Sequence, residues 1–290
     1  AGIVYALGTS VRAFTEEGDA MMVMQPVYYP FSEVIKNDGR RLVNCQLRYE
    51  NNHYSIDFEK MEKMIQEEGV KALIFCNPHN PVGRVWTREE LERVAEICLK
   101  YNVTWMVDEM HCDFIFPGHT FTSCMNLDEK YRQILALYSS PGKTFNVAGL
   151  QPANIIIPNE ELRKKYQWAN TQAAYSQGSL MGQLAVKVCY TKGAEWVDEL
   201  VQYIYENVKY MSKFVKENFP KAKMVEPEGT YLVWVDFSGY GLSNDAGGGK
   251  IVAGFRNHLR TGDRSVREIQ CCLPACDSGT GTDTAERRTG

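Results

Sequence analysis

The chain has 290 residues, 44% hydrophobic and 23% charged, which is enough to bury one large core or two in an ordinary globular protein. A formal net charge of −4 gives no basic surface for nucleic acid or an anionic membrane. No apolar run reaches bilayer length and no signal-peptide pattern opens the chain, so a cytoplasmic protein is expected.

The first residues, Ala1-Gly2-Ile3-Val4, read as the start of a helix without an initiator Met, so the chain is expected to begin inside a domain. Apolar residues at helical spacing run from Val4 to Phe14, until Gly18-Asp19 stops them. Ala20 to Met24 is a continuous apolar run, the mark of a strand buried on both faces. A helix follows Tyr28-Tyr29-Pro30, then a strand over Leu42–Leu47, a turn at Asn51-Asn52 and a helix over Ile56–Glu67. Lys71–Cys76 is a second buried strand. Thr87, with Glu90 three residues on, forms a capping box for a helix reaching Tyr101. Strands are predicted over Val103–Val107, Ile134–Tyr138 and Asn154–Ile157, and helical segments over about Glu160–Tyr190 and Glu195–Asn218. Met224-Val225 and Tyr231–Phe237 read as strands joined through Pro227-Glu228-Gly229. Alternating strands and helices predict an α/β fold with a mostly parallel sheet covered on both faces.

The division expected is a large domain over 1–194, part of a smaller domain over 195–243, and a divergent, poorly ordered tail over 244–290. Cys45, Cys76, Cys98, Cys112, Cys124 and Cys189 lie singly among apolar residues, as reduced buried thiols do. Cys271, Cys272 and Cys276 lack a second ligand cluster, so no zinc site is expected.

In open α/β sheets, ligands sit beyond the carboxyl ends of the strands. Polar groups gather at four such ends. Tyr28 and Tyr29 follow the Met24 strand, and Asn77-Pro78-His79-Asn80-Pro81-Val82-Gly83 follows Cys76. Asp108-Glu109-Met110-His111 ends the Val107 strand, and Lys143 follows Tyr138 in a small-residue turn, Ser139-Ser140-Pro141-Gly142. Each alone has an ordinary explanation in turns, packing or solvated charge; four on one rim do not. Pro141-Gly142-Lys143-Thr144 is not a nucleotide-binding P-loop, because that motif needs a glycine where Leu137 stands.

Taken together, Asn77-Pro-His-Asn-Pro-Val-Gly-Arg, Asp108-Glu-Met-His-Cys-Asp and Lys143-Thr-Phe-Asn-Val-Ala-Gly-Leu resemble the fold-type I pyridoxal-phosphate enzymes of the class I/II aminotransferase group. The resemblance covers Ala1 to about Leu242. Histidine at position 111 points to the cystathionine β-lyase or cysteine-S-conjugate β-lyase branch. It implies a seven-stranded-type sheet, a pyridoxal 5'-phosphate cofactor, a small amino-acid substrate and a homodimer. It implies that Lys143 forms a Schiff base with the cofactor and that Asp108 pairs with the pyridine nitrogen. Asn80 is then the hydrogen-bond partner of the phenolic oxygen, Tyr28 stacks on the ring, Tyr29 lies beside the substrate or the Schiff base and His111 lies near the cofactor face. Backbone N–H groups of Ile3 and Val4, with the Ser140 hydroxyl, are expected to hold the phosphate.

The chain departs from that pattern in places. Gln151 stands where many relatives carry a phosphate-binding arginine, and Gly142 where they often carry serine. From about Asn244 the family pattern stops, and none of Arg256, Arg260, Arg264 or Arg267 can be assigned to the substrate carboxylate. The reaction implied is carbon–sulfur β-elimination from cystathionine or a cysteine S-conjugate. The alternatives are transamination, or cofactor binding without turnover.

Overall fold

The computed structural model describes residues 2–175 and 177–240, and the backbone of 266–270. The elements in chain order are α1 (Gly2–Phe14), β1 (Ala20–Val23), α2 (Tyr29–Asn37), β2 (Arg41–Asn44), β3 (Arg48–Glu50), β4 (His53–Ser55), α3 (Phe58–Glu68) and β5 (Val70–Cys76). They continue with α4 (Arg88–Lys100), β6 (Thr104–Asp108), β7 (Leu135–Ser139), β8 (Asn154–Ile156), α5 (Glu160–Gln172), α6 (Leu180–Lys192), α7 (Ala194–Asn218), β9 (Lys223–Val225), β10 (Leu232–Asp236) and β11 (Val266–Gln270).

The main sheet has the order β2-β1-β5-β6-β7-β8. Its strands are parallel except β8, which runs antiparallel to β7. Among the described residues it holds six strands, against the seven-stranded pattern expected. Alternation along the central strands sends side chains to two cores. Met22, Leu73, Phe75, Trp105, Leu135 and Leu137 pack with Met61 and Ile65 of α3 and Leu91 and Val94 of α4. Met21, Val23, Ile74, Met106, Ala136 and Tyr138 face the other way, onto Leu7 and Val11 of α1 and Phe31 and Ile35 of α2. A strand with both faces covered can carry no polar alternation, which is why β1 and β5 read as plain apolar runs.

Helix ends follow the expected chemistry. Thr87 and Glu90 form the capping box of α4, and Asp57 caps α3 by accepting the Lys60 N–H. Two expectations need correction. The helical stretch predicted over Glu160–Tyr190 is two helices. Ala174 turns left-handed at φ 53°, the Asn170 side chain bonds the Tyr175 carbonyl, and Ser179 caps α6 anew. Asn51-Asn52 is a turn, but it joins a hairpin, β3–β4, that the sequence reading missed. Within 244–290, β11 pairs antiparallel with β10; the rest of that range lies outside the described residues, as does the segment 251–259.

The unit formed by α7, β9 and β10 has its own core of Ile204, Val208, Val215, Leu232, Val233 and Val235. It is completed by Phe114 and Phe116 from the loop after β6. The turn before β10 is fixed to the main sheet's loops at close quarters. Gly83 sits at φ +74°, and a Cβ there would lie 2.6 Å from Pro227 Cβ. The Gly83 carbonyl accepts from the Glu228 and Gly229 N–H groups. Arg84, almost fully buried, donates Nε to Glu228 at 2.9 Å and Nη2 to Glu90 at 3.0 Å. Glu228 also accepts the Val85 N–H. A buried ion stripped of its partner typically costs about 3–5 kcal/mol, so these three groups hold or fail together.

Candidate active site

The carboxyl ends of β5, β6 and β7 finish in line: Cys76 pairs with Asp108, and Asp108 with Tyr138. The ladder runs one step further, with Asn77 N–H on the Asp108 carbonyl at 2.9 Å and Glu109 N–H on the Tyr138 carbonyl at 2.8 Å. Three polar loops therefore leave the sheet side by side. The segment after β1 joins them, because Tyr28 N–H donates to the Asn80 carbonyl at 3.1 Å and His79 Nε2 donates to the Pro26 carbonyl at 2.9 Å. Burial pushes His79 down to about 4, so it is neutral and serves as a structural donor.

Asp108 is the chemically unusual group. Burial raises its carboxyl to about 7, against the lowering pull of the Met110 N–H at 3.0 Å and the Lys143 charge. Glu109, next in sequence, is spent on structure. It accepts from the Cys124 N–H and the Ser123 hydroxyl, each at 2.8 Å, and so anchors the following loop.

His111 and Asn80 meet across the loops, with Asn80 Nδ2 3.3 Å from His111 Nε2. Burial, reinforced by the Lys143 charge, takes His111 down to about 3, so the ring is neutral and can accept. Asn80 Oδ1 and His111 Nδ1 are buried without a hydrogen-bond partner among the described residues. Two such orphans beside a buried acid are costly unless a ligand meets them. They fit the group that the resemblance implies. A heteroaromatic nitrogen sharing a proton with Asp108 would offset the burial of the acid. A ring hydroxyl would donate to Asn80 Oδ1, or, with the amide turned over, a ring oxygen would accept from Asn80 Nδ2.

The other expected residues are placed as follows. Tyr28 and Tyr29, both half-buried, have ring centroids 5.7 Å apart. Lys143, half-buried, sits on a turn closed by Phe145 N–H to the Pro141 carbonyl and Val147 N–H to the Gly142 carbonyl. The start of α1 lies against the end of that turn, because Gly2 N–H donates to the Gln151 carbonyl at 3.1 Å. Ile3 and Val4 are in the first turn of α1, where N–H groups have no carbonyl four residues back. Ser140 differs from expectation: its hydroxyl donates to the Pro152 carbonyl at 2.7 Å and accepts the Gly142 N–H at 2.9 Å, so its proton is committed within the loop. Arg256, Arg260 and Arg264 lie outside the described residues, and Arg267 falls in β11.

Sequence reasoning missed three contributors. Tyr231 packs on the His111 ring at 5.0 Å and edge-on against Phe114 at 5.1 Å. It follows Thr230, a buried β-branched residue at φ 69°, held there by its N–H on the Phe114 carbonyl and its hydroxyl on the Leu232 N–H. Such a backbone costs on the order of 1–3 kcal/mol and persists only where its surroundings over-determine it. Asp113 and Thr144 meet at 2.6 Å, joining the loop after β6 to the Lys143 turn. Asp113 lies in the motif Asp108-Glu-Met-His-Cys-Asp, but nothing local in the sequence names its partner.

Comparison with known proteins agrees with this geometry. The cystathionine beta-lyase PatB of Bacillus subtilis (strain 168) is 40% identical over 243 residues, 84% of this chain and 63% of PatB. The chain thus spans less than two thirds of that relative's length. The crystal structure of cystalysin from Treponema denticola, which contains a pyridoxal 5'-phosphate cofactor, superposes with a TM-score of 0.92 at 34% identity, over 99% of this chain and 74% of cystalysin. The PLP-bound C-S lyase from Staphylococcus hominis gives 0.85 at 28% identity, over 94% of this chain and 71% of that one. A family model described as aminotransferase class I and II matches residues 1–250. With that model matching most of the chain and PatB 40% identical to it, the chain belongs to the class I and II aminotransferase family.

Proposed function

We propose that this chain binds pyridoxal 5'-phosphate and cleaves the carbon–sulfur bond of cystathionine or a cysteine S-conjugate, giving a thiol, pyruvate and ammonia. The observation that carries the cofactor reading is Asp108: a buried acid raised to about 7, beside the orphaned atoms of Asn80 and His111. The names of PatB and the Staphylococcus C-S lyase support the reaction.

The bound cofactor supplies an electron sink for the pair left when the substrate's α-proton departs. The residues of the chain do the rest. Lys143 would hold the cofactor, and its Nζ, once free, would take the proton from the substrate's Cα. Asp108 keeps a proton on the ring nitrogen. Asn80 would bond the ring oxygen, with His111 against its amide, and Tyr28 would lie on the ring face. Ile3 and Val4 present N–H groups at a helix N-terminus, where an anion is favoured. Sulfur leaves Cβ as a thiolate, and water completes the path to pyruvate and ammonia.

Transamination is the second reading, since it begins with the same proton transfer on the same residues. Incubation with cystathionine separates the two. Pyruvate, ammonia and thiol in equal amounts are expected. A 2-oxo acid retaining the sulfur, with the amino group left on the cofactor, would establish the transferase. Cofactor uptake with no product would establish the inactive binder.

We further propose that two copies associate through α6. Leu180, Met181, Leu184 and Val188 of this helix are exposed, Leu180 by 78%, and of the whole helix only Gly182 is buried. Gly182, on the opposite side of the helix, lies against the Leu150 carbonyl, and Gly193 against Phe145, so the helix packs beside the Lys143 turn and leaves the apolar face outward. An apolar face of this extent beside a reactive loop suits a partner surface. Light scattering is expected to give the mass of two chains, and Leu184→Glu with Val188→Glu the mass of one. A wild-type monomer removes this part of the reading. The singly placed cysteines among the described residues, four of them buried, support a cytoplasmic setting.

A further inference from the structure

We propose that Asp113 is a positioning residue for Lys143, acting through the Thr144 hydroxyl to hold the lysine turn against the loop that carries Asp108 and His111. This rests on the reading of Lys143 as the residue that holds the cofactor.

The Lys143 turn is pinned on both sides by side chains. Before the lysine, Ser140 accepts the Gly142 N–H and donates to the Pro152 carbonyl, which fixes the turn to its own continuation. After it, Thr144, 1% exposed, donates to Asp113 Oδ2 at 2.6 Å. That second bond crosses between loops from two neighbouring strands, β6 and β7. A hydroxyl bonded to a carboxylate is among the stronger hydrogen bonds a neutral donor makes. Asp113 is itself held firmly, because Phe114 N–H donates to the His111 carbonyl at 3.0 Å and the Phe114 carbonyl accepts the Thr230 N–H at 2.8 Å. Asp113 holds Thr144, and Thr144 is the next residue in the chain after Lys143. The residue that pairs with the ring nitrogen and the residue that holds the cofactor then share one frame. A misplacement of about 1 Å at such a site can lower a rate on the order of 100-fold.

The test traps the lysine directly. Cofactor-free protein is incubated with pyridoxal phosphate, borohydride reduces the linkage to a stable secondary amine, and peptide mass spectrometry gives the label at Lys143 relative to exposed Lys164 in the same molecule. Wild type is expected to label Lys143 in preference. Thr144→Val and Asp113→Ala should each lower that ratio about tenfold or more, and the double variant no further than either single, as two ends of one interaction do. Thr144→Ser, which keeps the hydroxyl, should stay within about twofold of wild type. With cystathionine, the same variants should lose kcat more than KM, which a general loosening of the fold would not produce. If Asp113→Ala does not fold, Thr144→Val and Thr144→Ser carry the comparison. Removing the Thr144 hydroxyl leaves Asp113, which is half-buried, open to water. Lys143 labelling in Thr144→Val equal to wild type, or Thr144→Ser as impaired as Thr144→Val, overturns the proposal. No preference for Lys143 in the wild type overturns the cofactor reading itself, so the two failures are told apart.

Discussion

Lys143→Ala is expected to give a folded protein with no lysine-linked absorbance on adding pyridoxal phosphate and with turnover of cystathionine lowered by at least about 10²–10⁴-fold. That range is what a positioned acid or base usually contributes by proton transfer alone. The fold should tolerate the change. Lys143 is half-buried on a turn whose shape is set by the Phe145–Pro141 and Val147–Gly142 backbone bonds and by Ser140, none of which involves the lysine side chain. Lys143→Arg should fail equally, since a guanidinium stays protonated and can neither link to an aldehyde nor accept a proton at this pH. The loss in Lys143→Arg then reports chemistry and not charge. Absorbance titration and a thiol-release assay on the same samples check both halves. A lysine variant that kept the linked band and wild-type turnover would sink the assignment.

That Lys143 could be proposed from the sequence at all follows from where it lies. A strand buried on both faces is written as an unbroken apolar run, and its carboxyl end is where polar residues first return. Cys76, Asp108 and Tyr138 mark three such ends in adjacent register, and the reactive loops begin directly after them. Capping is equally local, so Thr87 and Glu90 could be read as a pair three residues apart. What the sequence hid is long-range. The Thr144–Asp113 bond spans 31 positions and the Arg84–Glu228 bond spans 144, and no periodicity encodes which donor meets which acceptor. The β3–β4 hairpin escaped because strands of three residues are too short to show alternation. The break after Gln172 escaped because it is made by a left-handed Ala174 and side-chain capping, and the glycine that could have marked it, Gly178, stands six residues beyond Gln172. Ser140 was legible as a hydroxyl near the lysine, but its use within the loop was not.

Asp108→Asn carries the second large expectation, and it separates stability from function. In the folded, cofactor-free chain burial raises the Asp108 carboxyl from the usual 3.8 to about 7. Between those values the folded state binds a proton that the unfolded state has released. Stability therefore falls as pH rises from about 4 to about 7, and the loss is complete above that. A shift of about three units corresponds to about 4 kcal/mol at most. The amide that Asp108→Asn introduces cannot ionise, so the cofactor-free variant should melt higher than wild type at pH 8, and the two should converge near pH 4. Taking the difference between them cancels the titration of every other carboxylate. With pyridoxal phosphate present the gap narrows. The variant loses the charge that keeps a proton on the ring nitrogen, and a charge-assisted hydrogen bond of this kind is worth about 1.5–3 kcal/mol, or roughly ten- to a hundred-fold in affinity. Ligand binding to the folded state raises its apparent stability in proportion to affinity, so wild type gains more on adding the cofactor than the variant does. Melting midpoints across pH 4–8, with and without pyridoxal phosphate, give both results in one series. A variant less stable than wild type at pH 8 without cofactor, or one that binds the cofactor as tightly, would mean that Asp108 is an ordinary buried acid and not the partner of a ring nitrogen.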